Sequence, residues 1–300
     1  MPRTTLTLPS PSPGTQRTLT VYRYGQPGAR PKAYVQAALH ADEFPGLLAA
    51  QHLLRLLETA AATGAINGEV VVVPVANPIG LGQHLNGHLL GRFDFEVAGN
   101  FNRQFPYLPT PAMLDRLLGR LSHDPAADVA LVRRALLQTL AELPRVRETD
   151  ALKATLLSLS IDADLVFDLH CDSEAQLHLY ASKHHREQAM ALGAELGADP
   201  VLLEEDPGGV PFDEANAGPW WRLREQLAEA DTLPLACFAA TVELRGQADV
   251  RDDYAERDAT RLYRYLQRCG VVAGNAGSLP EPRCAPTPLE GVDVLVAPAC

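Results

Sequence analysis

Apolar positions in this 300-residue chain follow two periods. Short runs rich in Val, Ala and Leu, "AYVQAAL" (33–39), "EVVVVPVAN" (69–77), "DADLVFDLH" (162–170) and "ACFAATVEL" (236–244), are nearly continuous, as in strands covered on both faces. Between them the period lengthens. After Pro45 and Gly46, residues Leu47, Ala50, Leu54, Leu57 and Ala61 fall at helical spacing, and so do Val129, Val132, Leu136, Leu140 and Leu143. "DALKATLLSLS" predicts a further helix, "KHHREQAMALGAEL" another, and "PWWRLREQLAEA" one that starts at its two tryptophans. Strands alternating with helices predict an α/β fold, a mixed central β-sheet flanked by helices on both faces within one domain spanning 1–290. Residues 107–160 open with the loop signature "PYLPTP". They read as a helical excursion on that domain, either beside the functional site or as further scaffold. "GVDVLVAPAC" looks like the opening of a strand with nothing after it to pair with, as a truncated C-terminal β segment over 291–300 would leave.

The polar residues that interrupt these runs carry the chemistry. In open α/β sheets, ligands gather outside the carboxyl ends of strands. Three of the predicted strands end in ionisable side chains: His40 with Glu43, His170, and Glu243. Two histidines and a glutamate make the ligand set of a catalytic zinc site with an open position for water. Glu243 is then left to act as general base on a water whose pKa the ion brings to about 7. Each residue alone has an ordinary reading: a turn hydrogen bond for His40 and Glu43, a structural histidine, a strand-end acid. Their joint occurrence at strand ends favours one Zn2+ per chain.

Composition narrows the partners. Formal net charge is −11, from 26 basic and 37 acidic residues. This speaks against nucleic acid or an anionic membrane, both of which need a basic face. A small anionic substrate stays compatible, because it responds to local arginines. The 46% hydrophobic and 21% charged shares fit a soluble globular chain with a sizeable core. Cys171, Cys237, Cys269, Cys284 and Cys300 are scattered without a Cys-x-x-Cys pair, which suggests a reduced compartment. The N-terminus is polar and Pro-rich without an apolar signal core, and no run approaches the roughly 18 apolar residues of a membrane span. The expected location is the cytoplasm. The oligomeric state stays open, a homo-oligomer included.

"HADE" (40–43) is similar to the His-x-x-Glu motif of zinc carboxypeptidases and of the succinylglutamate desuccinylase/aspartoacylase family. "NFNRQFP" (100–106) resembles that group's Asn-Arg element, "FDLHCD" (167–172) its distal histidine, and "TVELRG" (241–246) its catalytic glutamate. The four occur in the family's order. "NPIGLGQHLNGHLLGRFDF" and "DLHCDSEAQLHLY" place the resemblance nearer the acylase branch. The resemblance implies a zinc-carboxypeptidase-like fold and hydrolysis of the amide bond of a small anionic N-acyl amino acid. It implies that His40, Glu43 and His170 bind zinc and that Glu243 moves the proton. It further implies that Asn102 and Arg103 grip the substrate carboxylate and that Arg92 polarises the scissile carbonyl. Arg222, Arg245 and Tyr254 are candidates for a further substrate-selecting side chain, and Asp168 and Asp172 for partners behind His170. A metallocarboxypeptidase acting on peptides and a non-catalytic small-molecule-binding relative remain alternatives.

Other signals lead elsewhere or nowhere. "GLGQHLNG" lacks the third glycine of a dinucleotide turn, and there is no Gly-x-Ser-x-Gly elbow. Cys171 is expected on the strand face opposite His170. His184 and His185 are expected to be exposed rather than ligating. His84 and His88 are candidates for lining the pocket. Trp220 and Trp221 are read as packing residues.

Overall fold

The computed structural model describes residues 3–205 and 208–289. Among these residues nine strands form one sheet, in the order β1-β2-β4-β3-β7-β10-β8-β9-β11. The strands are β1 (Arg3–Thr7), β2 (Thr18–Gly25), β3 (Lys32–Ala37), β4 (Glu69–Val73), β7 (Leu165–Asp172), β8 (His178–Ser182), β9 (Val201–Glu204), β10 (Phe238–Gly246) and β11 (Pro286–Pro288). A short hairpin, β5 (His84–Leu85) with β6 (His88–Leu89), stands apart. The run β4-β3-β7-β10 is parallel, whereas β1–β2, β2–β4 and β10–β8 are antiparallel. The sheet is therefore mixed.

Strand side chains alternate between two cores. Val35, Val70, Val72, Phe167 and Leu169 face one side, where helices α1 (Phe44–Ala62), α6 (Arg186–Leu196) and α8 (Asp252–Arg268) supply Leu53, Leu57, Leu192 and Leu262. Tyr34, Val71, Val73 and Val166 face the other. There α3 (Pro111–Leu117), α4 (Pro125–Glu142), α5 (Glu148–Ser160) and α7 (Phe212–Gln226) bring Met113, Leu136, Leu156 and Trp220. Burying each large aliphatic side chain contributes about 1.5–3 kcal/mol. Helices on both faces of a mixed sheet are the architecture that the apolar pattern predicts. The stripe Val132, Leu136, Leu140 is buried on α4, whose start is capped by Asp124 accepting from the backbone of Ala126 and Ala127. A four-residue helix, α2 (Pro78–Leu81), completes the set.

Several boundaries differ from the sequence reading. Helix α1 begins at Phe44, so Pro45 and Gly46 lie inside its first turn, where a proline gives up no intrahelical hydrogen bond. The tryptophans do not open a helix: α7 begins at Phe212 and runs through Pro219. Trp220 and Trp221 are both buried, Trp220 in the core beneath the sheet. Residues 291–300 lie outside the described residues. No helix among those described is long and apolar enough to cross a membrane.

Candidate active site

Strand β3 stops at Ala37, and Ala38 takes a left-handed backbone (φ 56°) that turns the chain out of the sheet. Asn77 anchors the turn by donating its Nδ2 to the Leu39 carbonyl at 2.8 Å. His40 follows, and Glu43 sits at the N-cap of α1. A Cβ on Gly46 would come within 2.8 Å of the Leu169 carbonyl oxygen, so the absence of a side chain lets this turn lie directly against β7. That contact brings Glu43 between two imidazoles. His40 Nδ1 is 2.8 Å from Glu43 Oε1, and His170 Nδ1 is 2.8 Å from Glu43 Oε2. The backbone N–H of Cys171 also donates to Oε2, at 3.1 Å.

The far nitrogens of both rings are held from behind. His40 Nε2 lies 2.8 Å from Asn100 Oδ1. Asp168 Oδ2 lies 2.8 Å from His170 Nε2, in contact but off the ideal hydrogen-bond direction. The line continues inward: Gln36 Nε2 donates to Asp168 Oδ1 at 3.0 Å, and the Tyr34 hydroxyl donates to Gln36 Oε1 at 2.9 Å. Partners of this kind set the tautomer and orientation of metal-binding histidines. Here they leave both Nδ1 atoms facing the same point as Glu43.

One ligand atom from each of His40, Glu43 and His170 lies within 4.8 Å of the others, and all three residues are buried. Among the described residues they form the one such group able to hold a metal ion. The electrostatics fit a cation. Burial by itself would raise the Glu43 carboxyl, but His170 and His40 hold it well below the usual carboxylate range. Burial opposes a proton on His170, yet Asp168 and Glu43 on either side push its pKa above the usual value. Buried carboxylates thus draw positive charge to this point, and two nitrogens with one carboxylate are a donor set that suits zinc.

Beside the group is a cavity of about 300 Å³, lined by residues that include His40, His170, Glu243, Arg92, Asn102 and Arg103. Glu243 is the register partner of His170 across the parallel β7–β10 pair, so both project from the same sheet face. Burial pushes its pKa up to about 7; His170 opposes this, and the nearby Glu43 and Asp172 add to it. Its Oε2 has no hydrogen-bond partner among the described residues. Arg92 reaches Glu43 with Nη1, 3.0 Å from Oε1. Its placement depends on Gly91, where a Cβ would meet the Asp42 backbone nitrogen at 2.5 Å. Asn102 is partly committed elsewhere: its Oδ1 accepts from the Phe212 N–H at 2.8 Å, tying it to the start of α7. Arg103 is exposed at the cavity wall, with Nη1 donating to the Asn102 carbonyl at 2.7 Å.

A model of the succinylglutamate desuccinylase/aspartoacylase catalytic domain matches residues 29–128, the stretch that holds His40, Glu43, Arg92, Asn102 and Arg103. A solved succinylglutamate desuccinylase/aspartoacylase family protein from Shewanella amazonensis is 30% identical, with a TM-score of 0.80. The alignment covers 93% of this chain and 75% of that one. The chain belongs to this family. A second structure named for the succinylglutamate desuccinylase/aspartoacylase family, from Shewanella frigidimarina, shares 24% identity and superposes with a TM-score of 0.81 over 96% of this chain and 76% of its own. The ectoine utilization protein EutE (DoeB) of Ruegeria pomeroyi shares the fold at 18% identity, TM-score 0.57, covering 95% of this chain and 71% of that one. A comparison with curated proteins found no significant match. Succinylglutamate desuccinylase/aspartoacylase family members are deacylases and hydrolases, so the cavity belongs to a hydrolase family.

Within this family framework, several sequence candidates fall elsewhere. Arg222, Arg245 and Tyr254 do not line the cavity. Arg222 pairs with Glu214, and Arg245 pairs with Asp258 while stacking on Tyr254. His84 and His88 are exposed on the β5–β6 hairpin. His184 stacks on Trp221 with ring centroids 5.0 Å apart. His185, expected at the surface, is buried against Trp221 and Phe238, because the helix opens with a 3-10 turn (Lys183–His185) that rolls it inward. Burial lowers its pKa to about 4. Cys171 lines the cavity, but burial pushes its thiol well up. Sequence reading missed Asn100, Gln36, Tyr34, Glu204 and Asp213. Only Asn100 had a signal within reach, as it belongs to the same "NFNR" run as Asn102.

Proposed function

We propose that the protein is a zinc-dependent hydrolase that cleaves the amide bond of a small N-acyl amino acid. The carrying observation is the meeting of His40, Glu43 and His170 around one point beside an ionisable Glu243 and two arginines. An ion bound there would supply Lewis acidity and lower the pKa of water. Glu243, with a carboxyl near pH 7, takes a proton from the attacking water and returns it to the departing nitrogen. Arg92 offers positive charge beside Glu43, where a carbonyl oxygen gaining negative charge is stabilised. Arg103 and the amide nitrogen of Asn102 orient the substrate carboxylate, which a guanidinium meets in one plane. A cavity of this size suits a small molecule.

Metal analysis, followed by a screen of N-acetyl and N-succinyl amino acids alongside short peptides, tests the reading through released amine. Glu243→Gln should keep its zinc and lose about 10²–10⁴ in kcat. Unchanged turnover in that variant, or cleavage of peptides with no N-acyl amino acid accepted, would replace the reading.

A further inference from the structure

We propose that the site selects an N-acyl amino acid whose amine half carries a second, cationic amino group, seated in an acidic recess built around Asp213. The proposal deepens the N-acyl amino acid reading and rests on it.

The recess follows from the pleat of the sheet. On β10, Thr241 and Glu243 point to one face. Tyr180 of β8 pairs with Thr241, and Ser182, two residues on, pairs with Glu204 of β9. These side chains therefore make one continuous wall leading away from Glu243. The first turn of α7 lies over it with Asp213. Asp213 and Glu204 line the main cavity and also a smaller space behind it, closed by Ser182, Glu214, Ala217 and Trp221. That space, of about 10 Å³, is about enough for one water-sized group, and an ammonium tip is of that size.

Its chemistry is that of a cation seat. Asp213 is 6% exposed. Its Oδ1 has no hydrogen-bond partner among the described residues. Glu214, 8% exposed, uses Oε1 to pair with Arg222, while Oε2 is likewise without a hydrogen-bond partner among them. Two buried carboxylate oxygens lacking donors at one small space are costly, the more so when charged. A ligand ammonium, with three donors and a positive charge, removes that cost. Glu205 at the rim is already paired with Lys183. Burial, with Asp168 nearby, pushes Asp213 up to about 6, and His170 opposes this. An acid in a helix's first turn also suits the helix dipole, but that role needs neither the recess nor the second orphaned oxygen on Glu214. Arg92 and Arg103 come from the 91–103 segment and Asp213 from α7, so one zwitterionic amine half can meet both signs of charge.

The experiment uses the full chain loaded with zinc. It compares kcat/KM for Nα-acetyl-ornithine and Nα-acetyl-lysine with the uncharged Nα-acetyl-norvaline and Nα-acetyl-norleucine and with Nα-acetyl-glutamate. The cationic substrates should lead their uncharged counterparts by at least about 100-fold. Asp213→Asn should cut that ratio at least about tenfold. Ala217→Val, which fills the recess without touching a charge, should also cut it, so the test survives if the Asp213 variant fails to fold. Calorimetric titration with free ornithine against norvaline reads the same preference without turnover. Normal hydrolysis with no preference for the cationic series, or with glutamate preferred, overturns the recess and leaves the N-acyl amino acid reading standing. If no derivative is hydrolysed, that reading falls and the titration decides: selective ornithine binding supports the recess, and equal or absent binding overturns it.

Discussion

Replacing Asp168 by Asn removes one charge and almost no volume at a fully buried position. Asp168 has two neighbours that matter: Gln36 Nε2 donates to Oδ1 at 3.0 Å, and Oδ2 lies 2.8 Å from His170 Nε2. If the new amide keeps its oxygen toward Gln36, its NH2 faces His170 Nε2. That nitrogen must then accept, and the ring proton moves to Nδ1, the atom that faces Glu43 and the ion position. If the amide turns over, its NH2 meets the Gln36 NH2. Gln36 must then turn as well, giving up the bond from the Tyr34 hydroxyl to its Oε1. Either arrangement loses a buried hydrogen bond or puts the wrong tautomer at the metal. Loss of a partner behind a ligating histidine typically costs 10–100-fold in metal affinity, about 1.4–2.8 kcal/mol. We therefore expect the zinc Kd of Asp168→Asn, read by competition with a chromogenic chelator, to rise by about that factor, while far-UV circular dichroism stays that of the parent. A Kd within about twofold of the parent would refute the argument that Asp168 aims His170 at the ion.

Glu243 must be ionised to accept a proton, and its carboxyl is raised to about 7. Activity should therefore be full above that value and fall on its acid side, an occupied metal site drawing the limb lower; a kcat/KM profile with no acid limb while zinc stays bound would contradict the base assignment. Gly46→Ala places a Cβ 2.8 Å from the Leu169 carbonyl oxygen. Overpacking of about 1–3 kcal/mol should outweigh the gain of about 1 kcal/mol in helix propensity, lowering both the denaturation midpoint and zinc retention; an unmoved midpoint would show that α1 does not depend on this contact. Arg103→Lys keeps the charge but loses the planar fork, so KM should rise with kcat largely kept, and a fall in kcat alone would place Arg103 in the chemical step instead.

Much of the architecture is readable along the chain because its signals are local. The continuous runs around Val70–Val73 and Leu165–Leu169 can be satisfied only by burial on both faces, and the stripe through Val132, Leu136 and Leu140 only by a helix lying on a core. The outer strands β1, β2, β8 and β9 are harder to see. Their residues alternate in character or mix polar and apolar, and their pairing depends on strand order. His185 illustrates the same limit: a histidine at a helix start looks like a surface residue until the 3-10 turn buries it.

The candidate site divides along the same line. The sequence alone determines that His40, Glu43, His170 and Glu243 stand near strand ends, because the periodicity that marks a strand also marks where it stops. It also determines that Pro45 and Gly46 stand just past Glu43 and Phe44, ahead of a helical run. Only the tertiary structure decides that Glu43 lies between the two imidazoles, that Asn100 and Asp168 turn both Nδ1 atoms inward, and that Asp213 of α7 closes a recess against β8, β9 and β10. The physical reason is that each of these meetings is set by parallel pairing of β3, β7 and β10 and by helices packed at van der Waals distance. Contacts between residues far apart along the chain, 60 positions for His40 with Asn100 and 127 for Glu43 with His170, leave no periodic trace in the sequence that makes them.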